Sequence, residues 1–294
     1  MTIATRELRA SLAFVERNFN LTKRYWGWEV AWLVYSLAAA LAVAFIGVAQ
    51  DDPILLQTLI IGAIFWNFLS IVFGFIGETV TWERWEGTLE YTFMAPVRRY
   101  TQLIGSTFFA VAYAVIQMVI ILVVMLLFFD VRFTGGNWVT AGVFLALGSV
   151  SFVGVGMMAA ILPLLYVERG DQMVFVIQSI ILLFSGVYYS SDILPDWMQV
   201  VGQFSPGTYV LDGIRGGLID GKPVTALLND VWPLVIMGVV LIPLGVYVFG
   251  VAERYAKRTG DGVDHEGHFP APVALGQVEV AFDECVARPE LARH

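Results

Sequence analysis

Few residues in this chain have the types and spacing that chemistry requires. Gly216 to Pro223 reads GGLIDGKP, which satisfies the G-x-x-x-x-G-K of a phosphate loop. Pro223, however, stands where the loop needs a Ser or Thr hydroxyl for magnesium, and the match is read as a coincidence. His265, His268, His294 and Cys285 lie in one C-terminal stretch with no C-x-x-C pair, so no metal site is read. The lone cysteine also excludes an internal disulfide. Asp212 and Arg215 are three apart and on a helix would form a structural pair. The densest charged constellation is Glu83, Arg84, Glu86 and Glu90, interleaved with Trp82, Trp85, Leu89 and Phe93. At about 100° per residue these aromatics fall on one side and the carboxylates on an adjoining stripe. That pattern fits a short surface helix ended by Ala95-Pro96, since the residue before proline leaves helical geometry. Docking to a partner and anchoring to a membrane are both open readings of it.

The elements that must position these residues are long and apolar. Of 294 residues, 58% are hydrophobic and 14% charged, outside the balance of soluble domains. Six apolar runs follow: Trp28 to Gln50, Ile54 to Gly77, Thr101 to Phe129, Val139 to Leu165, Met173 to Tyr189 and Val231 to Ala252. Each is near or above the ~20 residues that span a ~30 Å hydrocarbon layer, the fifth being shortest. The fold class expected is an all-α membrane protein with six transmembrane helices. The first run begins too late and is too long for a signal peptide. No Asp, Glu, Lys, Arg or His lies in the core of any run, whereas ion-coupled transporters usually keep such a group at mid-bilayer.

Six spans place both termini on one side. On that side fall all of the 17 Lys and Arg except Arg132, Arg215 and Lys222, so the termini are expected to be cytoplasmic. Residues 1–27 read as an amphipathic interface helix, with Leu8, Leu12, Val15 and Phe19 at helical spacing. Residues 28–258 form the six-span domain. Residues 259–294, with seven acidic and two basic residues, read as an acidic, flexible cytoplasmic tail. Between the fifth and sixth spans, Pro195 and Pro206 open two short helices, the second capped by Ser205. Their apolar faces are Trp197, Val200, Val201, Phe204 and then Val210, Leu211, Ile214, Leu218. Both are expected to re-enter the outer leaflet, where irregular backbone must be buried in protein or line a wet cavity. In the fourth span, Gly142, Ser149, Gly156 and Ala160 form a stripe of small residues that marks a close helix contact.

The run Glu83-Arg84-Trp85-Glu86-Gly87-Thr88-Leu89-Glu90 with Met94-Ala95-Pro96-Val97-Arg98-Arg99 resembles the E-R-E-x-G-T-L-E and A-P-V-x-R loop of ABC-2-type permeases. Gly186, Leu194-Pro195-x-Trp197, Ser205-Pro206-x-x-Tyr209 and Asp212-x-x-Arg215 resemble that family's external stretch. The resemblance covers residues 1 to 258 in architecture and departs at Trp85, where the family commonly carries an acidic or small polar residue. It implies an export permease whose energy comes from separate ATPase subunits, two per complex. Those subunits, rather than this chain, would bind ATP and magnesium. Glu83, Arg84, Glu86, Gly87 and Thr88 would contact the ATPase, with Glu168 and Arg169 as a second contact. The second and fifth spans would border the translocation path, making Phe65, Asn67, Phe184, Tyr188 and Tyr189 its candidate residues. A second copy or a sister permease would complete the membrane unit, in a prokaryotic-type plasma (inner) membrane. Uncharged, aromatic-rich spans favour a lipid, drug or lipid-linked glycan as cargo. Nucleic acid is not an expected partner. An ion-driven secondary transporter and a non-transporting scaffold are the alternative classes.

Overall fold

A computed structural model describes residues 3–85, 99–129, 131, 133, 135–166, 170–190 and 193–259. The chain divides into a unit of Met1–Glu253 and a second of Arg254–His294. Within the described residues every regular element is helical. In order they are α1 (Ile3–Arg24), α2 (Trp26–Ala49), α3 (Pro53–Trp85), α4 (Arg99–Phe129), α5 (Trp138–Ala159), α6 (Ile161–Leu165) and α7 (Gly170–Phe184). The short helices α8 (Asp196–Gly202) and α9 (Pro206–Leu218) follow, then a 3₁₀ turn at Val224–Leu227 and α10 (Leu228–Thr259).

Five helical stretches are long and apolar enough to cross a membrane: Trp26–Ala49, Pro53–Gly77, Ile104–Phe129, Trp138–Leu165 and Val224–Tyr255. The fifth expected span, Met173 to Tyr189, contains a shorter apolar helix, Gln172–Phe184. It stops because Gly186 adopts φ 61°, a left-handed conformation that turns the chain out of the helix.

Local chemistry sets the other boundaries. Asp52 Oδ1 accepts from Ile54 N at 2.9 Å and Leu55 N at 3.2 Å, while Pro53 opens α3 without leaving a donor orphaned. Asn137 caps α5 by accepting from Thr140 N. Ser205 caps α9 by accepting from Gly207 N, with Pro206 at its first turn, as the sequence predicts. Pro195 instead takes the cap position of α8, and Asp196 begins the helix.

α3 is the central helix. Of its apolar stretch 78% is buried, against 22% for α2, α4 and α10, which leaves those three with wide outward apolar faces. One core gathers Phe65, Leu69 and Phe73 of α3 with Phe144 and Phe152 of α5 and Val210 and Leu211 of α9. A second joins Ala40 and Ala44 of α2, Ile60 and Ile64 of α3, and Ile121 and Met125 of α4. Because lipid is as apolar as these side chains, close packing and hydrogen bonds hold such helices together. The small-residue stripe of α5 serves that end unevenly: Gly156 lies against Ile76 of α3, while Gly142 has open space beside it. The two apolar faces of the external helices also differ. Val210, Leu211, Ile214 and Leu218 are buried, whereas Trp197, Val200, Val201 and Phe204 are exposed.

The amphipathic helix α1 packs on α4 through a face distinct from its Leu8, Leu12, Val15, Phe19 stripe. Ser11 Oγ donates to Thr101 O at 3.1 Å, and Asn18 Nδ2 donates to Ser106 Oγ at 3.2 Å. Gly105 faces Ser11 with no room for a side chain between them. Leu12 and Phe19 remain exposed at 57% and 59% and are free to meet lipid, while Val15 is half-buried.

Candidate functional site

The expected coupling segment begins as a continuation of α3. A helix of 33 residues at 1.5 Å each is about 50 Å long, more than the ~30 Å of hydrocarbon. Glu83 and Arg84 therefore lie in the last turn of α3, beyond its apolar stretch ending at Gly77. Glu86, Gly87 and Thr88, like Glu168 and Arg169, lie outside the described residues. The helices that carry both segments meet: Gly77 of α3 lies against Val174 near the start of α7.

The candidate path residues fall along α3, α7 and the turn after α7. Phe65 is buried in the core, its ring 5.8 Å from that of Phe152. Asn67 is buried on α3, and its Oδ1 has no hydrogen-bond partner among the described residues. One helical turn further along, Ser70 Oγ accepts from Gln178 Nε2 of α7, a polar tie within the apolar layer. Phe184 packs edge-on against Trp197 of α8 at 6.3 Å. Tyr188 is half-buried and packs against both cores, and the Tyr189 hydroxyl donates back to Leu183 O.

Arg215 has a role that i, i+3 spacing did not reveal. From α9 its Nη2 donates to Gly186 O at 3.1 Å and Val187 O at 2.8 Å, across 28 or more residues of chain. Burial lowers the Arg215 pKa from its ordinary value, and the charge of Asp212 acts in the opposite direction. Asp212 itself is exposed. A second arrangement also escaped the sequence reading: the Tyr113 hydroxyl of α4 donates to Glu29 Oε2 of α2 and accepts from Gln117 Nε2. Its signals were an acid in the first turn of a span and a Tyr and Gln four apart on one face of another.

The phosphate-loop-like run is built the wrong way round for nucleotide. Gly216 and Gly217 lie at the C-terminal end of α9, where the helix presents carbonyls, whereas a phosphate needs the N–H groups of a helix N-terminus. Lys222 Nζ is bonded to Asp220 Oδ2 at 2.7 Å. No group of metal-ligating side chains occurs among the described residues. His265, His268, His294 and Cys285 lie outside them.

Long apolar helices around a buried central helix, one amphipathic N-terminal helix and two short helices before the last long apolar one define a multi-pass helical membrane protein. The ABC-2 type transporter family model matches residues 10–219, more than half of the chain, and the chain belongs to that family. It is thus a permease component of an ABC transporter, a membership that implies an ABC ATPase partner and, as a rule, dimerisation. No individually curated protein matches the chain.

Proposed function

We propose that this chain is the permease subunit of an ABC exporter that moves an apolar or amphipathic cargo, a lipid, drug or lipid-linked glycan, outward. ATP and magnesium bind two separate ATPase subunits, which dock on residues 78–100 through Glu83, Arg84, Glu86, Gly87 and Thr88. Glu168 and Arg169, just before α7 in the sequence, form the second contact. The observation that carries this reading is the family match over residues 10–219, which spans the charged loop. The extension of α3 to Trp85 supports it, because a continuous helix carries a push at its cytoplasmic end into the core.

Counting α7 with the turn after it gives six spans, with α8 and α9 re-entering the outer leaflet. Both termini then lie in the cytoplasm of a prokaryotic-type inner membrane, in agreement with the basic side chains gathered there. The cargo passes along α3 and α7, where Phe65, Asn67, Phe184, Tyr188 and Tyr189 flank the route, and a second copy or sister permease supplies the other wall. Asp212 and Arg215 stabilise its external end. Uncharged span cores favour this cargo class over an ion.

The test is purification of the chain from its host membrane, identification of associated proteins, and measurement of ATP hydrolysis with candidate lipids added. An associated ATPase stimulated by cargo is the expected result. Ion-driven flux in proteoliposomes without an ATPase would identify a secondary transporter, and partner binding without flux a scaffold; either would overturn the proposal.

A further inference from the structure

The turn after α7 is held by other helices more than by its own. Gly186 at φ 61° ends the helix, and a helix that breaks at membrane depth leaves carbonyls that water cannot satisfy. Two of these, Gly186 O and Val187 O, accept from one nitrogen of Arg215 on α9. On its other side the Val187 carbonyl is pressed against Gly62 of α3, where a Cβ would overlap its oxygen. Ser185 Oγ and Ser205 Oγ, 2.7 Å apart, tie the same turn to the cap of α9. α9 is itself fixed by burial of Val210 and Leu211 in the core shared with α3 and α5. The break is thus clamped between the central helix and the second external helix, and the Arg215 guanidinium supplies a charged member of the clamp.

We propose that Arg215 is a positioning residue of the transport cycle, holding the break at Gly186 against α3 so that Phe184, Tyr188 and Tyr189 keep their places at the external end of the translocation route. This rests on the reading of α7 as part of that route. One guanidinium nitrogen carries two N–H groups, enough to hold two adjacent carbonyls, and the planar group fixes their directions. A lysine keeps the charge but loses the planar geometry that aims the two bonds; a methionine keeps only the length of the stem. Gly62→Ala would press on the same carbonyl from the opposite side while leaving Arg215 in place.

The experiment compares hydrogen exchange of the full chain, purified in lipid nanodiscs, for wild type, Arg215→Met, Arg215→Lys, Gly62→Ala and Phe109→Ala. Phe109 is buried on α4 against Phe75 of α3, away from the turn and from α9, so Phe109→Ala lowers stability and serves as a control for general loosening. Arg215→Met and Gly62→Ala are expected to speed exchange in residues 181–190 about tenfold while α4 is unchanged, with Arg215→Lys in between. In complexes that retain their co-purified ATPase, Arg215→Met is expected to change the maximal rate of ATP hydrolysis about threefold at an unchanged KM for ATP, and Arg215→Lys to restore it. Unaltered exchange in 181–190, or the same local change in Phe109→Ala, overturns the clamp. A loosened turn with unaltered maximal rate reduces Arg215 to a structural staple and overturns the positioning role. Failure of any ATPase to co-purify would instead sink the proposed function, and the exchange data would still decide the clamp.

Discussion

The Tyr113 hydroxyl donates to the carboxylate of Glu29, joining the middle of α4 to the first turn of α2. Gln117, one turn further along α4, donates to the same hydroxyl, so three polar groups form a string between two otherwise apolar helices. The carboxylate also sits where the N-terminal end of the α2 dipole favours negative charge. Tyr113→Phe removes the middle of the string and strands both ends. It should cost about 1–3 kcal/mol, whereas Glu29→Gln, which keeps an acceptor, should cost less. The Tyr113→Phe, Glu29→Gln double variant should be little worse than Tyr113→Phe alone. Unfolding in detergent followed by tryptophan fluorescence reads all three, and strictly additive losses would show that the groups do not act together.

The contact between α1 and α4 makes a prediction of opposite sign to helix propensity. On an exposed helix, replacing Gly105 by Ala would stabilise by about 1 kcal/mol. Here the added Cβ would lie 2.5 Å from the Ser11 carbonyl oxygen and 2.9 Å from Phe14 Cβ. α1 would have to lift from α4 and strain the Ser11 and Asn18 hydrogen bonds, at a cost of about 1–3 kcal/mol for overpacking. Gly105→Ala should therefore lower Tm; a rise in Tm would mean that α1 is not seated as described.

How far these features were legible in the sequence depended on the range of the forces involved. The cap at Ser205 and the opening of α9 by Pro206 follow from residues within a few positions of each other, and both could be read in advance, whereas the burial of the Val210 face and the exposure of the equally apolar Trp197 face depend on remote packing. The apolar runs were equally plain for five of the spans. The end of α7 was not, because Ser185 to Tyr189 is as apolar as the helix before it and its path is fixed by Arg215 and Gly62, both remote in sequence. For the same reason the bonds of Arg215 to Gly186 and Val187 were hidden, since i, i+3 spacing shows only its near neighbour Asp212. The length of α3 was also hidden: hydropathy falls at Glu78 while the backbone continues as helix to Trp85. Phe65 shows a further limit, since an aromatic within a span reads alike whether it faces a route or the core.

Asn67 permits a test that separates packing from transport. Its buried Oδ1 has no partner among the described residues, so an unsatisfied polar atom is a cost that the fold carries. Asn67→Leu, matched in the number and branching of its heavy atoms and fully apolar, should raise Tm or leave it unchanged. If the side chain also serves cargo, the same substitution should reduce cargo stimulation of ATP hydrolysis without altering the basal rate. Higher stability with undiminished stimulation would remove Asn67 from the route.

Reversing the charge on the coupling segment tests the energy input itself. Glu83 lies in the last turn of α3, and Glu86 follows it three residues later. Both follow the apolar stretch of α3, which ends at Gly77, so Glu83→Lys with Glu86→Lys should leave Tm within about 1 °C, as substitutions outside a core usually shift stability by under ~0.5 kcal/mol. Association with the ATPase should weaken by roughly tenfold or more, since opposed like charges at an interface cost on the order of kcal/mol each. The wild-type complex should loosen as salt rises from 0.05 to 0.5 M, roughly the range over which screening shortens from about 14 to 4 Å, and the reversed variant should show a flatter or inverted dependence. Retention of the ATPase at wild-type stoichiometry, with hydrolysis still coupled to cargo, would show that these carboxylates do not set the docking and would move the contact to the segment containing Glu168 and Arg169.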